Sequence, residues 1–274
     1  MVKVLVTNDD GFLSPGLRLL YSALSRIEGL DICVVVPEKP QSAGSLGITL
    51  HKPIRVWKTC IDGIDMYVIS GRPCDAVIYA FSTLGDFDIV ISGVNIGDNT
   101  GLQAVLASGT ISPCIYASIV KNIPGISFSI LFKDNVNFRD DKLITIISEI
   151  CRFVIDRRGS LKPIDVISIN LPHRITRNTK AKVCDISEIK FTHYIVRRVD
   201  PRGLEYFWIH GYLTIKPNEN LDVYSLYVDE SIVISGLNAR YISTIRRDYD
   251  PDRAYRILLE LCNYVNDVLC RLFT

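Results

Sequence analysis

An α/β fold, with helices on both faces of a parallel sheet, is predicted by three features of this sequence. Short apolar runs alternate along the first half with amphipathic stretches. That is the pattern of strands buried on both faces and connected by crossover helices. Polar, glycine-bearing turns follow several of the apolar runs directly. Ligands of such sheets bind at the carboxyl ends of the strands.

The elements follow in order. Residues 2–6 are apolar except for Lys3 and read as a buried parallel strand. Leu17, Leu20, Tyr21, Leu24 and Ile27 then recur at helical spacing, behind Ser14 as a cap and Pro15 in the first turn. Residues 32–36 form a second strand, stopped by Pro37, and residues 66–69, 88–91 and 126–130 form three more. Residues 73–84 read as a helix with Val77, Phe81 and Leu84 on one side. Residues 143–155 form another helix, and residues 164–170 a strand closed by Leu171-Pro172.

Past about residue 185 the character changes. Residues 194–199 and 206–212 read as antiparallel strands around the turn Asp200-Pro201-Arg202-Gly203. Tyr255, Leu258, Cys262, Val265 and Leu269 make the apolar stripe of a terminal amphipathic helix. A single domain over residues 1–274 is expected, with an α/β core over about 1–185 and an extension over about 186–274. The apolar positions of that extension fit burial against another subunit, in a homodimer or homotetramer, or against the chain's own core.

The 274 residues carry 31 Lys+Arg against 30 Asp+Glu, with 48% hydrophobic and 22% charged residues. These values exclude a disordered chain. They also argue against a protein that binds nucleic acid by neutralising many phosphates. No apolar run is long enough to span a bilayer. The apolar start is cut by Asp9 and Asp10, unlike a signal peptide. A cytoplasmic protein without a membrane or stable nucleic-acid partner is therefore expected. The cysteines at 33, 60, 74, 114, 151, 184, 262 and 270 form no Cys-x-x-Cys pair and no metal-finger spacing. They read as buried free thiols, a disulfide or two being the alternative.

Four motifs carry chemistry. Thr7-Asn8-Asp9-Asp10-Gly11 ends the first strand. Two adjacent carboxylates near a buried strand end call for a positive partner, and a hard divalent cation suits them; a plain surface turn has the same composition. Gln41-Ser42-Ala43-Gly44-Ser45 lies in the loop after the second strand and supplies hydroxyls and N–H groups. Ser92-Gly93-Val94-Asn95-Ile96-Gly97-Asp98-Asn99 follows the strand at 88–91, and Asn95 and Asn99 offer amide oxygens to a metal and amide hydrogens to a phosphate. Ser108-Gly109-Thr110 opens a helix, either as an anion site or as simple capping. Convergence of metal-suited oxygens and phosphate-suited donors at one sheet edge points to metal-assisted phosphoryl transfer to water. The four histidines, at 51, 173, 193 and 210, lie outside these motifs.

Together these motifs resemble the SurE family, the survival-protein-E nucleotidases. The family pattern of N-D-D-G, a serine loop, S-G-x-N-x-G-x-N and S-G-T is matched in order, and Asn170-Leu171-Pro172 and Asp200-Pro201-Arg202-Gly203 extend the match to about residue 215. The resemblance implies a Rossmann-like core with a C-terminal hairpin and helix used in oligomerisation. It implies a metal-dependent phosphatase of nucleoside monophosphates: a 5'-nucleotidase, with 3'-nucleotides and polyphosphate as further candidate substrates. One divalent cation per subunit, Mg²⁺ or Mn²⁺, would be held by Asp9, Asp10, Ser42 and Asn95. Asp9 and Asp10 would also be the catalytic pair, and Asn8, Asn99, Ser108, Gly109 and Thr110 the substrate-binding set.

The sequence departs from the family at Gly71-Arg72-Pro73, where Gly-Thr-Pro is usual, after Thr110, and in residues 231–237. Arg72 reads as an exposed substitution, with a phosphate contact as the alternative. The rival function is a nucleotide-binding or sensing protein with little turnover. A glycosyltransferase or a haloacid-dehalogenase-type phosphatase fits less well, because the two aspartates are adjacent. A dinucleotide dehydrogenase lacks its Gly-x-Gly-x-x-Gly turn after the first strand.

Overall fold

The computed structural model describes residues 1–133, 136–239 and 251–273. Its main sheet has nine strands: β1 (Val2–Thr7), β2 (Leu30–Pro37), β3 (Val56–Ile61), β4 (Ile64–Ile69), β5 (Ile89–Ile96), β6 (Gly125–Ile130), β7 (Val166–Leu171), β8 (Ala181–Val183) and β11 (Ile232–Leu237). They lie in the order β3-β4-β2-β1-β5-β6-β7-β11-β8. The six from β4 to β7 run parallel. β3 and β11 pair antiparallel at either side of them. Chain order reverses at β1, which lies between β2 and β5. A crevice at the carboxyl ends of the strands opens at such a reversal.

Side-chain alternation splits the apolar runs between two cores. Val4 and Val6 face one core while Leu5 faces the other, and Val34, Val36 and Val35 divide in the same way. This is why the inner strands read as continuous apolar runs. The first core packs beneath α1 (Pro15–Leu24), α5 (Asp141–Arg157) and α7 (Pro251–Phe273), the second beneath α2 (Pro73–Tyr79) and α4 (Ile111–Lys121). Two short helices, α3 (Leu102–Ala107) and α6 (Asp222–Tyr227), complete the set. Ser14 caps α1 by accepting from the Gly16 amide at 3.1 Å, and Asp140 caps α5 by accepting from the Lys142 amide at 2.9 Å.

The late hairpin is present: β9 (Phe191–Val199) pairs antiparallel with β10 (Glu205–Leu213) as a separate ribbon. Ile195, Phe207, Trp208, Ile209 and Tyr212 stand exposed on it. The expected division near residue 185 is not how the sheet divides. β11, from residues 232–237, lies inside the main sheet between β7 and β8. Helix α7 lays Leu258, Leu261, Val265 and Leu269 on the chain's own core, against α5, β8 and β11. Leu258, Cys262, Val265 and Leu269 of its stripe are thus buried within the subunit, while Tyr255 stands exposed. The strand β3 and its hairpin to β4 were not expected, nor were α3, α6 and β8. None of the eight cysteines is in a disulfide, and Cys33 is half-buried while Cys60 and Cys270 are exposed. Among the described residues no helix is long and apolar enough to cross a membrane.

Candidate active site

The carboxyl ends of β2, β1, β5 and β6 stand side by side, and the loops leaving them bring the motifs together. β1 delivers Asn8-Asp9-Asp10-Gly11. Asn8 closes this turn on itself: its Nδ2 donates to the Gly11 carbonyl at 2.9 Å, and its Oδ1 accepts from the Gly11 amide at 3.2 Å. Asn8 is fully buried, so it builds the turn instead of standing open as the expected substrate contact. Gly11 takes φ of 87°, where a Cβ would also lie 3.3 Å from the Lys39 backbone.

Asp9 is 5% exposed. Its Oδ1 accepts from the Thr110 hydroxyl at 2.6 Å. Gly109 backs the same carboxylate, because a Cβ there would lie 2.7 Å from Asp9 Cβ and Oδ2. Burial pushes the Asp9 carboxyl up to about 6; the Thr110 bond opposes this and the neighbouring Asp10 charge adds to it. Asp10 is less buried, and its Oδ2 accepts from the Ile96 amide at 3.0 Å. Its carboxyl is also raised by burial, with that amide working against the rise.

The β5–β6 ladder shifts register between Ser92 and Asn95. Gly93, at φ of 121°, passes so close to β6 that a Cβ would lie 2.3 Å from the Phe128 carbonyl oxygen. Beyond the shift, Asn95 is half-buried and its Nδ2 donates to the Gly97 carbonyl at 2.6 Å. That bond turns the amide so that Oδ1 is the atom left for a ligand. Asn99 is oriented differently from expectation. Its Nδ2 donates inward, to Ser129 Oγ at 2.8 Å and Thr110 Oγ1 at 3.5 Å, and its backbone amide donates to Asn170 Oδ1 at 2.7 Å. Asn99 therefore ties the Thr110 hydroxyl to β6 and β7. Ser108 Oγ accepts from the amides of Thr110 at 3.1 Å and Ile111 at 3.0 Å, capping α4. Ser42 stands exposed in the loop after β2, next to Gln41, whose amide donates to the Asp9 carbonyl at 2.7 Å. Among the described residues no group of three or more His, Cys, Asp or Glu side chains comes together. The oxygen set here has two carboxylates only.

Three features escaped the sequence reading. The first is a buried ion pair behind the site: Lys190 Nζ lies 2.7 Å from Asp98 Oδ2, with side chains 3% and 5% exposed. The Tyr227 hydroxyl donates to Asp98 Oδ1 at 2.7 Å, and Asp222 Oδ2 accepts from the Gly101 amide at 2.6 Å. Residues from the late part of the chain thus brace the 97–101 loop. The second is a row of hydroxyls one step inside the sheet, with Thr7 beside Ser92 and Ser92 beside Ser127. All three oxygens are buried without a hydrogen-bond partner. The third is Arg72, which is half-buried rather than exposed; its Nη1 lies 3.4 Å from the Gly44 carbonyl oxygen. Only strand register and loop approach make these pairings.

Comparison with known proteins agrees with this geometry. The family model described as "Survival protein SurE" matches residues 4–199. The 5'-nucleotidase SurE of Hyperthermus butylicus is 40% identical over 243 residues, which are 86% of this chain and 84% of that protein. The 5'-nucleotidase SurE of Pyrobaculum arsenaticum is 36% identical over 274 residues, 98% of this chain and 100% of that one. Among solved structures, the SurE protein from Aquifex aeolicus superposes with a TM-score of 0.71 at 23% identity, covering 86% of this chain and 93% of its own. That likeness shows the fold. With a family model spanning most of the chain and relatives at this identity, the chain belongs to the SurE family.

Proposed function

We propose that this protein is a divalent-cation-dependent 5'-nucleotidase, hydrolysing nucleoside monophosphates to nucleoside and inorganic phosphate. The observation that carries the reading is the buried Asp9 beside Asp10, with the Thr110 hydroxyl bonded to Asp9 at the start of α4. It puts two carboxylates and a helix N-terminus at one point of the sheet edge.

The residues fit a hard cation. Two adjacent carboxylates, both raised by burial, lack a positive neighbour in their bonds, and a cation supplies one. Asp9, Asp10, the Asn95 Oδ1 and the Ser42 hydroxyl would hold it. An all-oxygen set without Cys or His suits Mg²⁺ or Mn²⁺ over zinc. When bound, the cation supplies Lewis acidity toward the phosphoryl oxygens and water.

The chain's own groups do the rest. Ser108 Oγ accepts two amide bonds, which polarise its O–H toward a phosphate oxygen. The Gly109 backbone, bare of a side chain, leaves room for the Asp9 carboxylate beside the start of α4. These donors stabilise charge developing on the phosphoryl oxygens. Asn99 holds Thr110 in place from behind. Water attacks phosphorus as the bond from phosphorus to the nucleoside oxygen breaks, and the aspartate that takes the water's proton returns it to the leaving oxygen. A near-neutral chain needs no basic surface for this, since a few aimed donors and one cation handle a single phosphate.

The test is phosphate release from a panel of nucleoside 5'- and 3'-monophosphates and polyphosphate, with and without Mn²⁺, for wild type and Asp10→Ala. Activity with 5'-monophosphates that requires both Mn²⁺ and Asp10 is expected. Equal activity in all four conditions overturns the metal mechanism, and nucleotide binding without release makes the protein a sensor.

A further inference from the structure

The loop that carries Ser42 is fastened at three points. At its start, the Gln41 amide donates to the Asp9 carbonyl at 2.7 Å. In its middle, the Ser45 amide and hydroxyl donate to the carbonyls of Ala107 at 3.0 Å and Leu106 at 2.7 Å, at the end of α3. The third fastening is Arg72, at the start of α2. Its Nη1 reaches the Gly44 carbonyl at 3.4 Å. The same nitrogen fills the space over Gly47, where a Cβ would lie 2.3 Å from it.

Arg72 is itself held. Its backbone amide donates to Asp75 Oδ2 at 2.7 Å, while Asp75 Oδ1 accepts from the Thr49 amide at 2.9 Å, where the loop continues. Along this span, Ala43 and Ser45 stand at φ of 55° and 47°. Non-glycine residues keep such left-handed conformations only where the surroundings over-determine them, and such places cluster at functional sites.

We infer that Arg72 is a positioning residue: its guanidinium, seated on Gly44 and Gly47, fixes the loop so that the Ser42 hydroxyl stands as a neutral oxygen of the cation site. One nitrogen, Nη1, serves both glycines, and the planar guanidinium also brings Cζ over Gly47, a flat contact that a lysine ammonium does not make. This inference rests on the reading of Ser42 as a cation ligand.

The test is Mn²⁺ binding to the full chain, measured by calorimetry without nucleotide. Arg72→Ala is expected to weaken binding about tenfold, the scale seen when residues behind metal ligands are removed. Gly47→Ala, whose Cβ meets both the guanidinium and the Gly44 carbonyl oxygen that it sits on, is expected to do the same. In a Ser42→Ala background, Arg72→Ala is expected to add little, because its effect passes through Ser42. Should the alanine variant not fold, Arg72→Lys keeps the charge, loses the fork and is expected to weaken binding as well. Unchanged Mn²⁺ affinity in these variants, or the same loss with and without Ser42, overturns the inference while leaving the nucleotidase reading intact. A wild-type chain that binds no Mn²⁺ overturns that reading, and this inference with it.

Discussion

The Thr110 hydroxyl donates to Asp9 Oδ1 at 2.6 Å across 101 positions of sequence. One bond joins the end of the first strand to the beginning of α4. It also sets which Asp9 oxygen remains open, since Oδ1 is engaged. Asn99 and Ser129 continue the chain of bonds into β6. The carboxylate is thus aimed by a buried polar network and not by its own turn alone.

Thr110→Val keeps the shape and removes that donor. Asp9 then loses the one side-chain bond that favours its charged form. A fall in kcat/KM of about 10²-fold is expected, the scale of losing one aimed donor at a reacting site. Steady-state phosphate release, with circular dichroism to confirm the fold, measures it. An unchanged kcat/KM would remove Thr110 from the machinery.

The raised Asp9 carboxyl predicts a pH signature in the metal-free protein. Its value is about 6 when folded against 3.8 as the ordinary one. Between these values the folded chain holds a proton that the unfolded chain has released, so stability falls as pH rises through this window. Asp9→Asn lacks this term. With a chelator present, the stability of Asp9→Asn over wild type should grow by on the order of 3 kcal/mol between pH 4 and pH 7. Urea denaturation of both proteins at several pH values reads this difference. A difference that does not change with pH would show that Asp9 titrates normally.

Gly109→Ala tests the close approach behind the carboxylate. Its Cβ would lie 2.7 Å from Asp9 Cβ and Oδ2, so Asp9 must shift. A stability loss of about 1–3 kcal/mol, typical of overpacking, is expected. Mn²⁺ affinity and turnover should fall together, since the displaced group is the proposed ligand. Thermal melting and calorimetry on one preparation separate the two effects.

Lys190→Met tests the brace behind the 97–101 loop. It leaves the buried Asp98 carboxylate without its cation, although Thr100 and Tyr227 still donate to it. Removing one partner of such a pair costs about 3–5 kcal/mol. Adding Asp98→Asn should recover part of that loss, because the stranded charge goes with it. Denaturant melts of the single and double variants form the cycle that decides.

The strands from β4 to β7 were legible because burial on two faces leaves a short apolar run followed directly by a polar turn. The motif turns were legible because they follow those runs directly. β3 was not, since Lys58 and Thr59 interrupt its apolar residues at an exposed edge. β11 was not legible, because the sequence of Ser231 to Leu237 departs from the family pattern and carries no mark of its neighbours. Pairing with β7 and β8 is a long-range event, and it places a late segment inside the sheet.

The same division holds at the site. The order of residues specifies the chemistry available: adjacent aspartates, amides and hydroxyls after strand ends, suited to a cation and a phosphate. Local spacing carries that information, because a turn's residues are neighbours in the chain. Tertiary structure alone decided what each group is left to do. It committed the Asn8 amide to its own turn, aimed Asn99 inward at Thr110 and Ser129, and laid Arg72 over Gly44 and Gly47. A hydrogen-bonding group's partner depends on which strands and loops become neighbours in the folded sheet. That is fixed by the burial of apolar faces far from the site, and no motif records it.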